Sequence, residues 1–127
     1  MTSRSLTGML IGAAVLIAAV FFAVGQKGNR RDEVREEVTV AMERMPDYAA
    51  NGPWYYELLF RHHDACFDKA YVVEQVGSGR RARTKTTFYR DAYLDDVFEA
   101  MIADARRQGR EKQAEHLAAL RPTITLK

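Results

Sequence analysis

A mainly α protein is predicted: a single N-terminal transmembrane helix, then a small helical domain of three to four helices. A β-hairpin over 70–89 stays open as an alternative to a helix end and loop. Three observations lead there. Residues 6–25 form an unbroken apolar run; four later stretches repeat apolar residues at helical spacing; and Pro- or Gly-containing turns separate those stretches.

Residues 6–25 read LTGMLIGAAVLIAAVFFAVG, with no ionisable side chain. At about 1.5 Å per residue such a helix is about 30 Å long, the thickness of a bilayer's hydrocarbon core. Backbone groups in lipid find no water, so the run is expected to close its hydrogen bonds internally as a helix. Arg4 before it and Ala23-Val24-Gly25 at its end also fit a signal peptide, which leaves cleavage near Gly25 and a secreted helical protein as one alternative. The apolar core is longer than the roughly 7–15 residues of a signal peptide, which favours an uncleaved anchor. Gly8 and Gly12 make a GxxxG step, extended by Ala19 and Ala23, a face through which the anchor can pack on a membrane-protein partner or a second copy. Lys27, Arg30 and Arg31 follow the run and favour the cytoplasmic side for the domain, because the topology bias reads positive charge. The expected organisation is a flank over 1–5, an anchor over 6–25, a basic juxtamembrane linker over 26–31, a helical domain over 32–121 and a flexible tail over 122–127.

The helical domain builds up element by element. In 32–45, Val34, Val38, Ala41, Met42 and Met45 share one helical face. Pro46-Asp47 stops that helix, and Asn51-Gly52-Pro53 reads as a turn leading to the next. From Trp54 to at least Phe67, two adjacent stripes make a broad, partly aromatic face. One holds Tyr55, Leu59, His62, Cys66, Ala70 and Val73; the other holds Tyr56, Phe60, His63, Phe67 and Tyr71. Residues 71–89 fit two structures. A helix ending at Val76, capped by Gly77 and followed by a basic loop, is preferred, because an isolated two-stranded hairpin is marginal unless it packs on something. The β-branched and aromatic residues on both sides of Gly77-Ser78-Gly79 support the hairpin. Residues 91–108 form the clearest helix, with Leu94, Val97, Phe98, Met101, Ile102 and Ala105 on one face. Acidic residues at its start and Arg106-Arg107 at its end suit the helix dipole, and Gly109 suits the position after it. Ala114, Leu117 and Leu120 make a last short helix inside 110–120, which Pro122 ends.

Net charge is +2, but it is distributed in blocks. Residues 32–76 carry ten acidic and four basic side chains, whereas 77–90 carry five basic and no acidic ones. Arg80, Arg81, Arg83 and Lys85 within that basic block are candidates for contact with an acidic protein partner or anionic lipid headgroups, the alternative being a solvated loop that neutralises the acidic helices on either side. Nucleic acid is the least favoured ligand for so short a block. The block matches neither a P-loop nor a dinucleotide-binding fingerprint.

His62-His63-Asp64-Ala65-Cys66 is the one cluster with metal-ligand types. On a helix His62 and Cys66, or His63 and Cys66, fall within one turn, so they are weak candidates for a metal site or a thiol nucleophile. A closed zinc site needs four ligands, and the remaining His116 with no second Cys does not supply them. The single Cys also rules out an intramolecular disulfide. Trp54-Tyr55-Tyr56 suits either core packing or the headgroup level of a bilayer. No catalytic residue, cofactor or metal is assigned. The expected function is a membrane-anchored, non-catalytic interaction module or accessory subunit of a membrane complex, with the bilayer and a membrane protein as partners. A small tethered sensor or enzyme using His62, His63 and Cys66 is the alternative from another class.

Overall fold

The computed structural model describes residues 25–127. The flank, and the anchor with Gly8, Gly12, Ala19 and Ala23, lie outside the described residues. Among the described residues no helix is long and apolar enough to cross a membrane. The chain divides after Glu33 into two units. In the first, residues 25–33 are helical, so the stretch over 26–31 read as a linker has regular structure, and Arg30 Nη1 lies 3.3 Å from Glu33 Oε2.

The second unit is mainly helical with one small antiparallel sheet. In order it comprises α1 (34–42), α2 (Tyr48–Ala70), β1 (Tyr71–Val76), a 3-10 turn (Gly79–Arg81), β2 (Arg83–Phe88), α3 (Arg90–Arg107), α4 (Glu111–Leu120) and a final 3-10 turn (Arg121–Thr123). Its core takes Val34, Val38 and Met42 from α1, Tyr55, Leu58, Leu59 and Phe67 from α2, Leu94, Val97, Phe98 and Met101 from α3, and Leu117 and Leu120 from α4. Burying one such side chain fully contributes roughly 1.5–3 kcal/mol. The helical stripes over 34–45, 94–105 and 114–120 therefore face inward as their spacing requires.

Four expectations are corrected. First, α2 begins at Tyr48, so Asn51-Gly52-Pro53 lies inside a helix rather than in a turn. Pro53 is the sixth residue of α2, so its missing N–H removes the i→i−4 bond to the Ala49 carbonyl, while the Ala50 and Asn51 N–H groups bond the Asp47 carbonyl at 3.2 and 3.1 Å. Second, Tyr56 and Phe60 point outward, 41% and 59% exposed, because the inward face of α2 is completed by Leu58 instead. Third, 71–88 is a hairpin rather than a helix end and basic loop, with Tyr71 opposite Phe88 and Val76 opposite Arg83. Fourth, the residues after Pro122 are not a loose tail: Ile124 and Leu126 are buried in the core. The Lys127 N–H donates to Glu37 Oε2 at 3.1 Å, and Arg90 Nε donates to the Lys127 carbonyl at 3.0 Å.

Gly109 ends α3 as expected. Its φ of +73° lets its N–H reach the Arg106 carbonyl at 3.0 Å while the Arg110 N–H reaches Ala105 at 2.8 Å. That pair of bonds satisfies the last carbonyls of the helix and turns the chain into α4.

Candidate functional site

The hairpin is built on an aromatic base. Phe67 at the end of α2 lies 5.2 Å from the Tyr71 ring and 5.1 Å from Phe88, and Phe88 lies 5.7 Å from Tyr93 on α3. This cluster supplies the packing that an isolated two-stranded ribbon lacks. Away from the base the strands leave the core, and residues 73–75 and 83–86 are exposed. At the tip Gly77 takes φ +89°, and a Cβ there would stand 2.8 Å from the Arg81 carbonyl oxygen. The chain can therefore fold back tightly only with glycine at this position.

Arg80, Arg81, Arg83 and Lys85 are all exposed on this tip and on β2. Among the described residues none of the four forms an ion pair, although Lys85 is the register partner of Glu74. The hairpin thus collects the basic block at one projecting end of the second unit. Lys27, Arg30 and Arg31 belong to the first unit, where Arg30 pairs with Glu33.

The His62–Cys66 cluster does not converge. His63 is buried; its Nδ1 shares a 2.6 Å hydrogen bond with the Tyr93 hydroxyl, and its ring meets Tyr93 edge-on at 5.5 Å. Burial raises the Tyr93 pKa well above the ordinary phenol value, so the hydroxyl stays protonated. His62 turns the other way, its Nε2 in short contact with Asp104 Oδ2. Burial, then the charges of Arg61 and Arg107, lower its pKa. Cys66 is half-buried, and burial and then Asp96 push its thiol up despite Lys69, which is the opposite of activating a nucleophile. Among the described residues no group of three or more His, Cys, Asp or Glu side chains could hold a metal ion.

Two polar centres escaped the sequence reading. Asp104, only 5% exposed, receives His62, Arg61 Nη1 at 3.4 Å and a close contact from Arg107 Nη2. Its signal was available: Asp104 falls on the buried stripe of Val97, Met101 and Ala105, where an acid needs partners. Asp47 accepts from the Tyr55 hydroxyl at 2.8 Å and Asn51 Nδ2 at 3.1 Å, and its Oδ1 lies 2.8 Å from His116 Nδ1. Nothing local in the sequence links Asp47 to His116. Beside this centre the Arg110 guanidinium lies over the Trp54 ring at 4.4 Å, and Trp54 Nε1 donates to Gln108 Oε1 at 2.9 Å. Of the aromatic triplet, Tyr55 is core, Trp54 is half-buried and Tyr56 is exposed. Both centres tie separate elements of the fold to one another.

No protein-family model matches the chain, no curated protein matches it, and no solved structure matches it.

Proposed function

We propose that this protein is a membrane-tethered, non-catalytic interaction module, an accessory subunit that holds a basic hairpin ready for a protein partner at a bilayer. The observation that carries this reading is the set of four exposed cations, Arg80, Arg81, Arg83 and Lys85, on a hairpin whose base alone is packed. A hairpin needed only for stability has no use for four like charges at its end, since their mutual repulsion opposes the compact state. The apolar, uncharged run over 6–25 supplies the tether, and its Gly8, Gly12, Ala19 and Ala23 face supplies a second contact, to a membrane protein or to another copy. Lys27, Arg30 and Arg31 beside the run favour a domain on the cytoplasmic side. The convergent nucleophile, base and oxyanion donors that a catalytic reading requires have no counterpart in the His62–Cys66 cluster.

The tether is tested by extracting membranes that contain the full-length protein with alkaline carbonate. Retention in the pellet, with an intact mass that includes residues 1–25, is expected. Release into the supernatant, or a mass that starts near Gln26, overturns the tether and makes the exported protein the better reading.

A further inference from the structure

We infer that the open edge of β2 accepts an extended acidic segment of a partner protein as a third strand. This rests on the hairpin being the docking element and names what docks there. Among the described residues the sheet has the order β1-β2, so each strand keeps one edge that none of them pairs with. The Tyr89 N–H bonds the Ala70 carbonyl at 3.0 Å, and the register runs on from that pair without interruption. Hydrogen-bonded and non-hydrogen-bonded pairs alternate in an antiparallel ladder, so the pairs 72/87, 74/85 and 76/83 are bonded. Thr84 and Thr86 consequently turn their N–H and C=O groups to the open edge of β2, and Val73 and Gln75 do the same on β1.

The side chains select the occupant. Arg83 and Lys85 lie on one face, two residues apart, while Thr84 and Thr86 lie on the other face with Val73, which is 54% exposed. A strand laid along β2 therefore meets cations at alternate positions and β-branched residues between them. The complementary segment alternates Asp or Glu with Thr or Val. A second copy paired edge to like edge is a poor occupant. Antiparallel β2-to-β2 pairing sets Arg83 and Lys85 against their own kind, and β1-to-β1 pairing brings Glu74 against Glu74.

The test uses the full-length protein in phosphatidylcholine nanodiscs and a fluorescent peptide of alternating Glu and Thr. A second peptide of the same charge has every other backbone amide methylated. The unmodified peptide is expected to bind, with affinity that falls as salt rises. Methylation is expected to weaken it about tenfold or more, the loss of roughly two hydrogen bonds. Thr86→Pro removes an outward N–H and is expected to weaken binding similarly, whereas Gln75→Pro on the opposite edge leaves it unchanged. If Thr86→Pro disturbs the hairpin, the two peptides on the wild-type protein still decide. Equal binding of both peptides overturns strand addition and leaves a purely electrostatic docking element. Binding of neither peptide, with uptake of phosphatidylserine vesicles instead, overturns strand addition in favour of a lipid contact. Binding of neither peptide nor vesicles overturns both the strand site and the docking role of the hairpin.

Discussion

The rings of Phe67, in the last turn of α2, and Phe88, the final residue of β2, stand 5.1 Å apart. That contact, with Tyr71 and Tyr93 around it, fixes the root of the hairpin to the helices and leaves the rest of both strands free of the core. Phe88→Ala is expected to cost on the order of 2 kcal/mol, less than a fully buried Phe because Phe88 is half-buried. Amide exchange over 71–88 is expected to accelerate more than exchange in α3. Equal acceleration everywhere would show that Phe88 supports the whole core rather than the hairpin.

Gly77→Ala is expected to lower stability by about 1–3 kcal/mol, because φ +89° is strained for alanine and the new Cβ meets the Arg81 carbonyl oxygen. Gly79→Ala, at φ +62° with open space around it, is expected to cost about 1 kcal/mol. Urea denaturation of the two variants checks the order, and the reverse order contradicts the turn geometry.

Asp47 contributes a pH dependence. Burial pushes its pKa up, but the Tyr55 hydroxyl and the charge and hydrogen bond of His116 outweigh it, so the net shift is downward. A carboxyl whose folded pKa is depressed stabilises the fold above its unfolded pKa, about 4, and that contribution disappears as pH falls through the folded pKa. Tm is therefore expected to fall on acidification below about pH 4, and Asp47→Asn is expected to flatten that part of the curve. His116→Asn removes a partner that lowers the pKa, so the gap to the unfolded pKa narrows and the acid loss becomes smaller. A carboxyl titration of Asp47 at or above the ordinary value contradicts this.

Asp104→Ala is expected to destabilise by about 1–3 kcal/mol, since it leaves the half-buried His62 without its acceptor and Arg61 and Arg107 without their shared carboxylate. Cys66→Ser is expected to cost less than about 1 kcal/mol, because the thiol is only half-buried. Zinc added to the wild-type protein is expected to leave Tm unchanged. A zinc-dependent rise in Tm that Cys66→Ser abolishes would restore the metal reading.

The helices were legible where one face meets one neighbour. Val34, Val38 and Met42, and likewise Leu94, Val97 and Met101, announce their burial by spacing alone. Residues 71–89 were ambiguous because the hairpin rests on Phe67 and Tyr93, each close in sequence to one strand and about twenty residues from the far end of the other. Tyr56 and Phe60 misled because aromatic side chains on a helix do not by themselves say which face has a neighbour. The basic block was visible as charge, but its presentation on a strand edge required the register. The pairing of Asp47 with His116 spans most of the domain sequence and leaves no local trace.

The most direct measurement of the central claim compares tagged full-length protein with the variant carrying Arg80→Ala, Arg81→Ala, Arg83→Ala and Lys85→Ala. Both are purified from membranes in mild detergent, sized, and analysed by mass spectrometry at two ionic strengths. Wild type is expected to carry a membrane-protein partner in fixed stoichiometry, weakened by salt and absent from the variant. Wild type recovered alone, or a partner that the variant retains equally at both ionic strengths, contradicts an interaction module that works through its basic hairpin.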